Sequence, residues 1–449
     1  IGFADEEPAH SEADLLAAAE LVVRGSVRTN HPRFMNQNFA GADPTAVVGD
    51  WLGAALNTTG ATFEAAPVFT LMEQAVLAKL AGMARYPLAE AGTLAPGLFC
   101  PGGSTATLYA LQLARHRREP EMVRRGAGAE RLVLFVSDAG HYAATKSAAL
   151  LGLGTDAVVK VATDVEGAMV PTALAEAVDR AWAQGETPFA VIATAGTTVT
   201  SAFDDCDALA DICEAHDLWL HVDGCYGGSA LFSLAQAHRL RGVERSDSFV
   251  WNLHKMMGMT QQCTALLVRD PAQLEACFAA GADYLFQPDK LYGEYDSGDR
   301  TFQCARRIDV LKLWLSWKKH GDAGFAGRID HAVTMADHTR ALIGCSDGAF
   351  APVVAGTFTN VVFVWVPPAL RPLDLASLAS TDHERLHRLA PRIKARMQAE
   401  ATAMVGFQPV HGINAVRLLF MNPAVQPGDV EAVLVLIAAY GEQEWANVD

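Results

Sequence analysis

The sequence predicts an α/β protein: a mostly parallel sheet with helices on both faces, followed by a smaller C-terminal α+β domain. Three observations predict it. Short continuous apolar runs alternate with helix-like stretches from about residue 100 to residue 268, and such runs suit strands buried on both faces. The polar, aromatic, glycine-containing stretch 283–300 interrupts that alternation. From about residue 340 a shorter series of strand-like and helix-like runs begins.

Residues 11–25, rich in Ala and Leu, read as an amphipathic helix, and His31–Asn38 as irregular chain. Residues 45–56 and 66–84 read as helices, with Pro67 placed to open the second, because its fixed φ suits the first helical turn. Gly102-Gly103 precede a helix reaching about Arg118. Arg131–Ser137 reads as a strand, followed by His141 and a helix over 142–151. Then come a strand at Val158–Val161, a helix at 172–184, a strand at Phe189–Ala193, a helix at Asp204–His216 and a strand at Leu218–Val222. Phe249–Asn252 and Ala265–Val268 close the series. Residues 283–300 form a long loop, of the kind that is functional or mobile. Ile308–Trp317 reads as a helix; strands at Val361–Val366 and Val416–Phe420, with helices at 383–401 and 427–440, make up the smaller domain.

Of the 449 residues, 51% are hydrophobic and 19% charged, the balance of a globular chain. A formal net charge of −16 argues against a nucleic-acid surface, which needs clustered Lys and Arg. An anionic substrate therefore needs a local cationic pocket. The eight cysteines contain no CxxC pair and no zinc spacing, and read as reduced core residues of a cytoplasmic protein. No metal site is expected. The first residues are acidic and lack a signal-peptide charge pattern. The late apolar run Ala432–Tyr440 is too short to span a bilayer, so no membrane segment is expected.

The chemistry centres on Trp251-Asn252-Leu253-His254-Lys255-Met256-Met257-Gly258. It places a lysine just past an apolar run, and an earlier run, Leu218–Val222, ends in Asp223. A lysine for a Schiff base and an acid against a pyridine nitrogen are what pyridoxal 5′-phosphate (PLP) requires. His141, opening a helix after a strand, can stack on the pyridine face. Pro101-Gly102-Gly103-Ser104-Thr105 begins a helix whose free amides and dipole suit a phosphate, with the Ser104 and Thr105 hydroxyls adding hydrogen bonds. Thr197, Thr198, Asn252 and His254 can reach the same phosphate. Tyr292, in the long loop, can donate a proton. Arg417, on a late strand, can bind a carboxylate. Each residue alone has a plainer reading: a solvated lysine, a helix-capping or salt-bridged aspartate, a loop histidine or tyrosine, a surface ion pair. A ribose-binding acid is another reading of Asp223, but no GxGxxG precedes it, and no Gly-x-Ser-x-Gly, HExxH or GxxxxGK pattern occurs.

Taken together, HPRFMNQ (31–37), APVFTLMEQ (66–74), PGGS (101–104), SDAGHY (137–142), ATAGTTV (193–199), CEAHDLWLHVD (213–223), WNLHKMMG (251–258), YLFQPDK (284–290), YDSGDRTFQC (295–304), KLWLSWKKHG (312–321) and NPA (422–424) occur in family order. The chain resembles the group II PLP-dependent amino-acid decarboxylases, in the branch holding animal glutamate and cysteine sulfinate decarboxylases. The resemblance implies the fold-type-I, aspartate aminotransferase-like architecture, with a mixed, mostly parallel seven-stranded sheet. It also implies a homodimer with shared active sites. Residues 1–60 are then a helical segment packing on the partner, 61–335 the large PLP-binding domain and 336–449 the small domain. Lys255 matches the Schiff-base lysine, Asp223 the pyridine-nitrogen partner and His141 the stacking histidine. Gly103, Ser104, Thr198, Asn252 and His254 fall at or near the phosphate side. Tyr292 matches a mobile-loop tyrosine that protonates the reacting carbon in the neighbouring subunit's site. Gln37 and Arg417 match residues lining the substrate's acidic group. The implied reaction is α-decarboxylation of a small acidic L-amino acid: glutamate, aspartate, cysteine sulfinate, or a phosphonate or sulfonate analogue. Rival readings are transamination or oxidative deamination on the same fold, or an inactive PLP-binding homologue; the presence of Tyr292 speaks against oxidation.

The chain departs from the family at HVDGCYGG, where HVDAAWGG is usual, and at NLHK, where NPHK is usual. Gly224 is expected to remove a methyl from beneath the cofactor ring, and Leu253 to replace a turn-setting proline. In the Asn57–Ala61 stretch, Thr59 and Ala61 are expected to leave a roomier or differently shaped substrate pocket than the bulkier groups of the glutamate and sulfinate enzymes.

Overall fold

The computed structural model describes residues 11–87, 94–282, 287 and 289–448. The first ten residues, and positions 283–286 and 288 of the predicted loop, lie outside the described residues.

Among the described residues, twelve strands form two sheets. In chain order they are β1 (Phe34–Met35), β2 (Gly97–Cys100), β3 (Leu132–Ser137), β4 (Val158–Val161), β5 (Thr187–Thr194), β6 (Trp219–Asp223), β7 (Ser248–Asn252), β8 (Thr264–Val268), β9 (Phe350–Pro352), β10 (Asn360–Trp365), β11 (Met404–Val410) and β12 (Ile413–Leu419). The large sheet has seven strands in the order β2-β8-β7-β6-β5-β3-β4. All pairs from β7 to β4 are parallel, and β8 runs antiparallel to both of its neighbours. Every residue of β3, β5, β6, β7 and β8 is buried, as strands covered on both faces must be.

The alternation of side chains along each strand divides the core in two. Leu134, Val136, Ile192, Trp219 and Val250 pack beneath the helices Gly103–Arg118 and Ala143–Leu150. On the opposite face, Val133, Phe135, Val191, Val222 and Phe249 join Leu174 and Val178 of the helix Pro171–Ala183. Pro171 opens that helix at its first turn, where its missing N–H costs nothing.

The smaller sheet has the order β1-β11-β12-β10-β9. Three features differ from the sequence-based expectation. The segment expected to be irregular, His31–Asn38, contains β1, whose Phe34 and Met35 pair in parallel with Met404 and Val405. β11 was hidden because Gly406 and Pro409 are poor strand residues. The helix expected to end near Trp317 continues to Gly344, across a break at Gly321 with φ 63° and ψ −178°. A conformation open to glycine interrupts the helical period there without ending the element.

Six of the eight cysteines are buried, and Cys304 and Cys345 are exposed. Among the described residues, no helix is long and apolar enough to cross a membrane.

Candidate active site

A cavity of about 470 Å³ opens beyond the C-terminal ends of β3, β5, β6 and β7. Chain order reverses between β3 and β5: β3 connects outward to β4, whereas β5 leads the other way to β6. Ligands of open α/β sheets bind at such a reversal. Eight of the residues expected from the sequence line this cavity: Gly103, Ser104, His141, Thr198, Asp223, Asn252, His254 and Lys255. A larger cleft of about 910 Å³, between Gly25–Phe34 and Gln398–Met404, contains none of them.

Asp223 is the last residue of β6, and one of its carboxylate oxygens accepts a hydrogen bond from the Cys225 amide at 3.0 Å. Burial pushes the Asp223 carboxyl up, but the Lys255 charge, the Cys225 contacts and His221 together outweigh it and hold the group below its ordinary value. The site therefore keeps an anion at its floor. Burial is also the main reason that His141 is held below its ordinary value, with the Lys255 charge adding to it against the opposing pull of Asp223. A neutral ring at pH 7 follows. Its Nδ1 accepts the Ala143 amide at 3.2 Å, which fixes the ring at the start of its helix.

Lys255 lies three residues past β7, half-buried, in a turn closed by the Lys255 amide on the Asn252 carbonyl (3.2 Å) and the Gly258 amide on the Lys255 carbonyl (3.0 Å). Gly258 has φ 72°, the left-handed conformation this turn requires. Among the described residues, the Lys255 amine makes no hydrogen bond or ion pair. Burial pushes His254 down to about 4, so it is neutral beside the lysine. Leu253 has a use that proline cannot supply: its amide donates to the Cys263 carbonyl at 2.9 Å, joining the turn to the chain entering β8.

The helix Gly103–Arg118 starts at the cavity. Gly102, at φ 92°, turns the chain into it. A Cβ on Gly103 would collide with Cys225 Sγ and come within 3.0 Å of Asn252 Nδ2, so only glycine lets the helix N-terminus come this close. Thr105 Oγ1 is spent on the Pro101 carbonyl at 3.1 Å, and Thr197 Oγ1 on Thr200 and the Ala202 amide. The hydroxyls expected from Thr105 and Thr197 therefore serve turns, whereas Ser104 and Thr198 line the cavity.

The remaining expected residues do not line the cavity. Thr59, Ala61 and Tyr292 form a second cluster. Thr59 Oγ1 accepts the Arg306 amide at 3.0 Å, and the Ala61 carbonyl accepts the Ser297 amide at 3.1 Å. Tyr292 is 47% exposed, has φ 62°, and packs on Phe63 at 5.0 Å between ring centroids. Buried Arg306 organises this cluster. It donates to the Gly60 carbonyl (3.0 Å), Ser297 Oγ (2.5 Å), the Glu73 carboxylate (2.6 Å) and the Phe99 carbonyl (3.0 Å). Gln37 and Arg417 form a third group. Gln37 is exposed; Arg417 is buried and donates to the Thr198 carbonyl (2.6 Å) and the Asn36 carbonyl (2.5 Å). Its Nε is buried without a partner, and no described carboxylate pairs with it.

The expectation for Gly224 is corrected. A methyl there would not lie under a ring bound against Asp223: it would collide with the Phe249 ring and come 3.1 Å from the Val250 carbonyl. Phe249 belongs to the opposite core face, because successive residues at a strand end point to opposite sides. Gly224→Ala should cost about 1–3 kcal/mol of stability from overpacking, seen as a lower denaturation midpoint. An unchanged midpoint would show that Phe249 yields freely.

Sequence reasoning missed Thr107, Tyr142, Cys225 and Gln262, which also line the cavity. Cys225 had a signal, since it sits inside the unusual HVDGCYGG stretch.

Comparison with known proteins identifies the family. Residues 3–366 match the model of the pyridoxal-dependent decarboxylase conserved domain. The chain is 44% identical over 438 residues to human cysteine sulfinic acid decarboxylase, covering 96% of this chain and 86% of that one. It is 41% identical over 440 residues to bovine acidic amino acid decarboxylase GADL1, covering 97% and 82%. The crystal structure of mouse CSAD superposes with a TM-score of 0.91 at 40% identity, covering 98% of this chain and 90% of that one. With its lysine, buried acid and helix N-terminus gathered at one reversal of the sheet, the chain belongs to the pyridoxal-dependent decarboxylase family, whose cofactor is pyridoxal 5′-phosphate.

Proposed function

We propose that the protein removes the α-carboxylate of a small acidic L-amino acid as CO₂, leaving the amine. The observation that carries this is one cavity holding the Asp223 carboxylate, the Lys255 amine and the glycine-opened helix N-terminus. These residues fit PLP. Gly103 lets the helix start pack against Cys225 and Asn252 and so brings its free amides to the cavity, where a phosphate would sit, and Asp223 lines the same cavity as an anion suited to a pyridine N–H. When bound, the cofactor supplies an electron sink for the pair left by CO₂.

This chain's own residues do the rest. Lys255 would hold the cofactor and afterwards release the product. His141, neutral and fixed at its helix start, would stack on the ring. Ser104, Thr198, Asn252 and His254 would hold the phosphate side. Tyr292 returns a proton to the reacting carbon of a neighbouring copy. The separation of Thr59, Ala61 and Tyr292 from the cavity supports a homodimer whose second copy brings that cluster to the site. Apolar exposure supports it too: the helix Glu12–Gly25 buries none of its residues, and Trp51 on the helix Pro44–Leu56 is 70% exposed. We also place the protein in the cytoplasm, on its buried, unpaired cysteines.

The acidic substrate class rests on Arg417, an unpaired cation behind the Thr198 loop, and on the names of the human and bovine relatives. CO₂ release should be measured with the common amino acids plus cysteine sulfinate, cysteate and phosphonoalanine. Turnover confined to non-acidic substrates would overturn the substrate class. Arg417→Ala should lower kcat/KM for acidic substrates by about 10²-fold, as expected when one partner of a buried charge contact is truncated. Unchanged kinetics would remove the acid-binding role.

A further inference from the structure

The cavity wall at Thr198 is held from behind by a buried polar network that the proposed reaction does not use. Asn360, the first residue of β10, is 1% exposed. Its Nδ2 donates to the Thr198 carbonyl at 3.0 Å and to the Val199 carbonyl at 2.9 Å, so one side chain of the smaller sheet grips two successive peptides of the loop that follows β5. Arg417 Nη1, on β12, donates to the same Thr198 carbonyl at 2.6 Å. The buried Tyr226 hydroxyl lies 3.2 Å from Asn360 Oδ1 and also bonds to the Thr359 hydroxyl. The chain entering β10 is fixed separately: Arg239 holds the Thr357 carbonyl (2.6 Å), and Arg340 holds the Phe358 (2.6 Å) and Asn360 (3.1 Å) carbonyls.

The direction of each bond follows from counting donors. The Thr198 and Val199 carbonyls only accept, so the Asn360 amide nitrogen must face them; the flipped amide would set Oδ1 against two carbonyl oxygens. Oδ1 then faces Tyr226, so the phenol must donate to it and accept from Thr359. Burial pushes the Tyr226 phenol up, so it keeps its proton at neutral pH. The tryptophan usual at this position carries an N–H that can only donate, and it could not accept from Thr359. Tyrosine is what completes this chain of bonds.

We propose that Asn360 and Tyr226 are positioning residues for the cofactor: the phenol orients the Asn360 amide, and the amide holds the Thr198 loop against the cofactor's phosphate side. This rests on the placement of the phosphate beside Thr198 given above. A loop left free would have to be ordered when the cofactor binds. One held at two carbonyls by Asn360, and at one of them by Arg417 as well, is ordered beforehand, so less entropy is lost on binding. The network therefore acts on cofactor affinity rather than on the chemical step.

Two substitutions separate this role from packing. Tyr226→Phe keeps the ring, which sits edge-on to Phe358 with centroids 6.1 Å apart, and removes only the hydroxyl. In the PLP-loaded protein it should weaken cofactor binding, followed by the visible absorbance retained on dilution, by about fivefold, the size expected for one neutral buried hydrogen bond. Asn360→Ala should weaken binding by at least about tenfold, and Tyr226→Phe should add nothing in the Asn360→Ala background, because the phenol acts through the amide. In both variants excess PLP should restore kcat to within about twofold of wild type, a recovery that damaged packing would not show. Unchanged retention in Tyr226→Phe, effects of the two substitutions that add, or a kcat that excess PLP does not restore overturns the proposal. Should Asn360→Ala fail to fold, Tyr226→Phe decides alone, by retention and by recovery with PLP. A wild-type protein that gains no visible absorbance with PLP would instead overturn the Lys255 assignment, and this inference with it.

Discussion

Lys255→Ala is expected to abolish the visible absorbance of the bound cofactor and to lower CO₂ release by at least about 10⁴-fold. The reason is local. Lys255 is the one lysine among the described residues lining the cavity, and its amine has no competing hydrogen bond or ion pair. The turn that carries it is fixed by bonds to Asn252 and Gly258 and, through Leu253, to Cys263. No neighbouring amine can replace it. The mutated side chain projects into the cavity, so the fold should survive, and the spectrum and the CO₂ assay can be read on the same sample. CO₂ release at the wild-type rate would sink the assignment.

Asp223→Ala has the second largest expected effect. Asp223 is buried, and the Lys255 charge, the Cys225 contacts and His221 keep it ionised against burial. In the proposed site that anion would favour the proton on the cofactor's pyridine nitrogen. Removing one partner of a buried ion pair costs about 3–5 kcal/mol, which is about 10²–10⁴-fold in turnover. Asp223→Glu should recover little, because the carboxylate is held at the strand end by the Cys225 amide 3.0 Å away. The check is kcat together with cofactor retention after dialysis. An alanine variant within about threefold of wild type would show that the acid has no part in the chemistry.

Asp223, Lys255 and His141 were legible in the sequence because each follows an apolar run, and in a parallel sheet the ends of such runs converge. The large sheet was legible for the same reason. Other features depended on direction or on distance along the chain. Gly224 follows the strand by one residue, and only the structure shows that a methyl there would meet Phe249 rather than a ring on Asp223. The amide of Leu253 matters through the Cys263 carbonyl, which sequence reading cannot pair with it. Arg306 reads as one of many arginines until its contacts with Gly60, Glu73 and Phe99, all more than 200 positions away, are seen. β11 was obscured by its own Gly406 and Pro409. Tyr292 was legible only as a phenol in a long loop; Gln37, Thr59 and Ala61 were singled out by family resemblance, and nothing in their own spacing pointed to them.

The Glu73–Arg306 pair bears on how this protein can be redesigned. If a second copy brings its Thr59 and Ala61 to the site, as proposed, the loop carrying them is where substrate preference would be reshaped. Yet the guanidinium that holds the Gly60 carbonyl also holds the Phe99 carbonyl, on the strand leading directly to Gly102 and Gly103. A substitution that shifts Gly60 should therefore pull on the proposed seat of the phosphate. Libraries at 59–61 will select for cofactor retention as much as for substrate fit, and productive variants should arise in combination with changes at Ser297 or Glu73 rather than alone.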